Sequence, residues 1–172
     1  MEHTFVLIKP DGIEKKLTGE IISRFEKAGL EVIDIKTINP TEDLLERHYA
    51  LTDDWVKNLA SKTREAMATK GVQMTESDLE IAKRVQSWLK QSLSSGKVIA
   101  MILRGNHAVS IVRKIIGATE PKSSATGTIR GDFSSDSYDL ADKEQRSVKN
   151  IIHASGTVDE AKREIELWFG KI

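Results

Sequence analysis

Residues 5–38 read FVLI-KPDG-IEKKL-TGEIISRFEKA-GLEVIDIKTI, and this stretch decides the fold. Phe5 to Ile8 is a short unbroken apolar run, which marks a buried strand, and Lys9-Pro10-Asp11-Gly12 reads as the turn that ends it. From Thr18 to Ala28 a helix is expected, because Ile21, Ile22, Phe25 and Ala28 share a face and Gly29 stands where a C-cap glycine belongs. Leu30 to Ile38 is rich in β-branched residues and reads as a second strand. The block is β-α-β.

Further along, Thr41–Tyr49 makes a short helix, and Asp53 or Asp54 is placed to cap another containing Trp55, Val56 and Leu59. Thr75-Glu76-Ser77-Asp78 is a start signal for a helix whose apolar face is Ile81, Ala82, Val85, Trp88, Leu89 and Leu93, stopped by Ser94-Ser95-Gly96. Val98–Leu103 is a third strand, and Ala108–Ile116 a helix capped by Gly117. Residues 118–133 and 134–147 read as loops, and Val148–Ile152 as the fourth strand. The last helix opens with Thr157-Val158-Asp159-Glu160, a capping box, and buries Val158, Ala161, Ile165, Trp168 and Phe169. Two β-α-β units in series predict a ferredoxin-like α+β sandwich, a four-stranded antiparallel sheet with helices packed on it. Neither a repeat nor a linker divides residues 1–172, so a single domain is expected.

The 172 residues have 39% hydrophobic and 30% charged content, the balance of a globular chain with a full core. Without cysteine, disulfides, thiolate metal sites and thiol catalysis are excluded. No apolar run approaches a membrane span, and Met1-Glu2-His3-Thr4 leads into a strand rather than a signal peptide, so a cytoplasmic protein is expected. Zero formal net charge argues against a nucleic-acid partner. The charge is uneven, however. Between Lys97 and Phe133 lie Lys97, Arg104, Arg113, Lys114, Lys122 and Arg130 against Glu120 and Asp132 alone. That local excess suits a pocket for a small polyanion; a solvated basic face would read the same way.

Four histidines compete for a chemical role. His3 is near a terminus, His48 lies in a polar helix and His107 begins one, so all three are assigned structural or solvated places. His153 ends an apolar run just before the last helix. On that helix Glu164 follows Ala161 by three and precedes Trp168 by four, so it borders the buried stripe. Folding the helix back along its strand would let the carboxylate hold one ring nitrogen and leave the other free to attack. Neither GxxxxGK[ST] nor GxGxxG occurs, so side-chain cations rather than a glycine-rich loop would hold a phosphate. Lys9 at a strand end, Arg113, and Arg130 in the stretch GTIRGDF are the candidates.

Taken together the segments resemble nucleoside diphosphate kinases. They are TFVLIKPDG at 4–12, HYA at 48–50, SGKVIAMIL at 95–103, GATEP at 117–121, GTIRGDF at 127–133, and NIIHAS followed by EIELWF within 150–169. The resemblance implies a ping-pong exchange in which the γ-phosphate of a nucleoside triphosphate such as ATP moves to His153 and then to a nucleoside diphosphate such as GDP. It implies Lys9, Arg113 and Arg130 on the phosphates with Thr119, Tyr49 near the histidine, and Asn150 on the sugar hydroxyl. Glu164 would orient His153, and Ser155 would neighbour both. Mg2+ would arrive on the nucleotide phosphates rather than in a protein site.

This chain departs from the family's usual form by a helical insertion at roughly 53–80 and a second insertion at roughly 134–147, as in long forms resembling archaeal members. The aromatic residue that stacks on the base has no clear counterpart: the alignment lands on Val85 or Gln86, with Trp88 nearby, so the base clamp is left unassigned. Gly156 stands where the family has aspartate. Residues 118–126 keep Pro121 but carry Ala125-Thr126 in place of Lys-Pro, in a loop that builds oligomers; a hexamer is expected, a tetramer being the alternative. Two rival readings are a nucleotide sensor that has lost turnover and a ferredoxin-like RNA-binding module. The first needs neither nucleophile nor orienting carboxylate; the second lacks its aromatic pattern and basic charge.

Overall fold

The computed structural model describes residues 1–170. Strands β1 (Glu2–Ile8), β2 (Glu31–Ile38), β3 (Val98–Gly105) and β4 (Ile152–Ala154) form one sheet in the order β2-β3-β1-β4. Every pairing is antiparallel, which is the ferredoxin-like arrangement expected from the two β-α-β blocks.

The unbroken apolar run in β1 follows from helices on both faces. Val6 and Ile8 pack with Ile21 and Phe25 of α2 (Thr18–Lys27) and with Val112 and Ile116 of α6 (Ala108–Ile116). Phe5 and Leu7 point the other way. They pack with Leu45 of α3 (Glu42–His48), Leu93 of α5 (Asp78–Ser94), and Ile165 and Trp168 of α9 (Val158–Phe169). Among the described residues no helix is long and apolar enough to cross a membrane.

Several local expectations are corrected. Lys9-Pro10-Asp11-Gly12 is not a free turn but the start of helix α1 (Pro10–Glu14), with Lys9 at the N-cap and proline in the first turn. Thr52, not Asp53 or Asp54, caps α4 (Asp53–Thr69), its hydroxyl accepting the Trp55 N–H. Ser77 and Glu80 close a reciprocal capping box on α5. The 118–133 segment holds a 3-10 turn (Pro121–Ser123) and a helix, α7 (Ile129–Phe133), capped by Thr128; the 134–147 segment holds α8 (Tyr138–Lys143), capped by Ser137. In α9 Thr157 accepts the Glu160 N–H, but the Glu160 carboxylate bonds Gly156 N–H instead of closing the box, and Val158 is exposed.

The fourth strand starts later than Val148. The Lys149 N–H donates to Asp136 and its carbonyl accepts the Ser134 hydroxyl, while Arg130 takes the Asn150 carbonyl. Backbone groups so engaged cannot join the ladder to β1. Ile151 then adopts φ 73°, unfavourable for a β-branched residue. Its N–H donates to Asp11 at 2.9 Å and its carbonyl accepts the Lys9 N–H at 2.8 Å, which hold it there.

The segments 53–80 and 134–147 meet. Lys70, just past α4, bridges Asp139 and Asp142 of α8.

Candidate active site

The register of β1 with β4 sets Leu7 opposite His153. Strand alternation sends Ile152 and Ala154 into one core and His153 toward the other face, where α3 and α9 lie. From α9 comes Glu164, 1% exposed. Its Oε1 is 2.8 Å from His153 Nε2, and its Oε2 accepts the Ser155 hydroxyl at 2.5 Å. A carboxylate accepts only, so Nε2 carries a proton, and in the neutral ring Nδ1 then keeps its lone pair. Burial works against the charge on Glu164. His153, His48 and the Ser155 hydroxyl outweigh it and carry the pKa down to about 2. His153 is partly open, with a side-chain exposure of 21%. In its neutral form an imidazole held at one nitrogen by a fixed anion has the other nitrogen left for attack.

Of the structural or solvated places assigned to it, His48 takes the structural one. It is buried, its ring centroid 4.9 Å from that of His153 at an interplanar angle of 82°, and its Nδ1 accepts the Trp168 indole N–H at 3.2 Å. Burial first, and then the neighbouring His153, push its pKa down to about 3, so it is neutral. Its Nε2 is buried without a partner. Nothing in the local pattern of α3 signals this burial. The cue is long-range, the apolar faces of β1 and α9 meeting at the last turn of that helix. Tyr49, the next residue, packs against His48 with centroids 4.6 Å apart; burial, then the Glu164 charge, raise its phenol pKa.

A second cluster adjoins. Lys9 Nζ donates to Asn150 Oδ1 at 2.7 Å, and Asn150 Nδ2 donates to the Thr119 carbonyl at 2.8 Å. Burial lowers the Lys9 ammonium to about 8, against the pull of Asp11. Arg130 is 3% exposed and spends its guanidinium on three carbonyls: Asn150 at 3.2 Å, Gly117 at 3.1 Å and Ile152 at 2.6 Å. It braces the segment leading to His153, and burial together with Arg113 lowers its pKa to about 10. Arg113 itself is exposed on α6, its carbonyl accepting the Gly117 N–H that caps the helix. The fold thus brings Lys9, Thr119, Arg130 and Asn150 together beside the His153–Glu164–Ser155 group.

His48, His153 and Glu164 each place one ligand atom within 4.8 Å of the others, a set that could hold a cation. All three already exchange hydrogen bonds with one another or with Trp168 and Ser155. Near Lys9 and Asn150, Asp11 is taken by the Ile151 N–H, and Gly156 offers no carboxylate. A cavity of about 350 Å³ lies next to the cluster, lined by Pro10, Asp11, Trp88, Arg146, Ser147 and Lys149 among others. Gln86 does not form a stacking surface; its amide donates to the Tyr49 carbonyl at 2.8 Å.

A family model described as nucleoside diphosphate kinase matches residues 2–76 and 53–172. A nucleoside diphosphate kinase from Pyrobaculum aerophilum is 41% identical over 98% of this chain and 95% of its own length. Nucleoside diphosphate kinase B from Flaveria bidentis is 40% identical over 98% and 88%. The crystal structure of an NDP kinase from Pyrobaculum aerophilum superposes with a TM-score of 0.92 at 40% identity, covering 98% of this chain and 95% of that one. A transition-state mimic of the Borrelia burgdorferi enzyme with bound vanadate and ADP gives 0.81 at 34% identity, covering 98% and 86%.

Proposed function

The chain belongs to the nucleoside diphosphate kinase family and is a phosphotransferase acting between nucleotides, and from that premise we propose that His153 is the atom carrier of its ping-pong cycle. Nδ1 attacks the γ-phosphorus of a nucleoside triphosphate; the bond to the β–γ bridging oxygen breaks, and the nucleoside diphosphate leaves with that electron pair. A second diphosphate then takes the phosphoryl group by the reverse step. The observation that carries this reading is the 2.8 Å bond between Glu164 and Nε2, which commits the far nitrogen and leaves Nδ1 to react. The proton that would block attack is kept off Nδ1.

Phosphoryl transfer needs alignment and charge neutralisation more than covalent help. Lys9 and Arg113 supply cations to the phosphates. Arg130 fixes the carbonyls of Asn150 and Ile152, adding its charge from below. Asn150, held by Lys9 and the Thr119 carbonyl, takes the sugar hydroxyl. Ser155 steadies the second oxygen of Glu164, and Tyr49 closes the wall beside His48. No side chain is assigned to Mg2+, which, carried on the substrate phosphates, would neutralise part of their charge. The nucleobase subsite carries no residue assignment. The proposal extends to one domain over 1–172, a cytoplasmic place, and a homo-oligomer, hexamer or tetramer; β2, at a sheet edge, exposes the apolar Ile35 to a second copy.

Brief incubation with labelled ATP and Mg2+ will give an acid-labile, base-stable phosphoenzyme that GDP discharges. His153→Ala will keep the fold and bind nucleotide yet never label; labelling that survives the substitution overturns the assignment.

A further inference from the structure

We infer that Trp168 is a positioning residue whose indole N–H fixes the tautomer of His48 and thereby reserves Oε1 of Glu164 for His153. The inference rests on the reading of His153 as nucleophile. It begins with the 3.2 Å bond from Trp168 Nε1 to His48 Nδ1. An indole N–H can only donate, so Nδ1 must be the bare nitrogen and the proton of neutral His48 must sit on Nε2. There it is buried with no acceptor.

Without Trp168 the other tautomer would be preferred. His48 Nδ1 lies 3.6 Å from Oε1 of Glu164, so a proton on Nδ1 would face a carboxylate instead of lying orphaned on Nε2. That oxygen is the one receiving His153 Nε2–H at 2.8 Å, and the second carboxylate oxygen is already taken by Ser155. The two imidazoles, perpendicular and 4.9 Å apart, therefore compete for a single acceptor. Were His48 to win a share of it, the hold on His153 Nε2–H would weaken. Part of the population would shift its proton to Nδ1, the attacking atom.

The surroundings oppose the alternative of charging His48 outright. Phe5 of β1 and Tyr49 of α3 bring no charge, His153 lies on β4, and Arg163 and Lys9 disfavour a cation; Glu164 alone favours one. The choice between tautomers of a neutral ring is thus the variable that Trp168 controls. Trp168 is held in turn by Lys36 of β2, whose ammonium donates to its carbonyl.

The test uses the full-length protein and two readouts. In 15N NMR of the histidine side chains, His48 carries its proton on Nε2 in the wild type and on Nδ1 in Trp168→Phe. In single-turnover labelling by ATP, Trp168→Phe slows phosphorylation by about tenfold, as for the loss of other supports of an orienting group. Adding His48→Phe to that variant removes the competitor and restores most of the rate. A Trp168 that merely packs gives the opposite result, since a second core substitution would slow the enzyme further. A wild-type His48 with its proton on Nδ1, or a double variant no faster than Trp168→Phe, overturns the inference. The NMR result is independent of phosphoryl transfer, so failure of the labelling assignment and failure of the tautomer lock are told apart.

Discussion

Replacing Glu164 by Gln removes one charge and changes almost no volume at a residue that is 1% exposed. The carboxylate holds two donors at once, His153 Nε2–H and the Ser155 hydroxyl. A glutamine has one accepting oxygen and one donating amide, so it satisfies only one of them as they stand. When the amide faces His153, Nε2 must accept, the ring proton moves to Nδ1, and that molecule cannot attack. The expected loss in the rate of His153 labelling is about ten- to a hundredfold.

Stability changes too, with a definite sign. The folded-state pKa of Glu164 lies at about 2 instead of 4.5. That depression corresponds to about 3 kcal/mol of stability, present at neutral pH and lost as pH falls through the window between those two values. Urea unfolding at several pH values will therefore show the wild type losing stability on acidification over that window, with Glu164→Gln less stable at neutral pH and flatter below it. A labelling rate within about twofold of wild type, or parallel stability curves for the two proteins, would refute the orienting role.

Two further outcomes follow from the geometry. Because burial holds the Lys9 ammonium at about 8, the kcat/KM of the free enzyme declines as pH rises through that value, and Lys9→Arg moves the decline to higher pH; an unchanged alkaline limb would remove Lys9 from phosphate binding. The same depressed pKa makes the folded chain release this proton before the unfolded one, so Lys9 adds to stability as pH climbs from about 8 toward 10.5. Gly131→Ala places a Cβ 2.2 Å from the Ala125 carbonyl oxygen, too close for backbone to yield, and will destabilise the protein by about 2–3 kcal/mol in thermal or urea unfolding; an unaffected midpoint would show that the 124–131 loop is not packed as described.

The sheet and its two helical layers were legible because their signals are local and periodic, as in Ile21, Ile22 and Phe25 on α2. What escaped were elements too short to show a period. α1 and α7 are five residues each, and their only marks are Pro10 in a first turn and Thr128 at an N-cap. The start of β4 was misjudged because Val148 to Ile152 is an apolar run in sequence, whereas hydrogen bonds from Asp11, Asp136 and Arg130, distant along the chain, bend it at Ile151. Glu164 was found by its spacing on a helical face. Whether His48 is packed or solvated is not legible locally, because its burial comes from β1 and α9 and no pattern around residue 48 carries that information.

The bridge from Lys70 to Asp139 and Asp142 joins the segments 53–80 and 134–147. Asp139 also lies 3.7 Å from the Lys122 ammonium, outside both segments, whereas Asp142 faces Lys70. A chimera that kept 134–147 and trimmed 53–80 would leave Asp142 without its ammonium and Asp139 with Lys122 alone, so the two segments travel best as a pair.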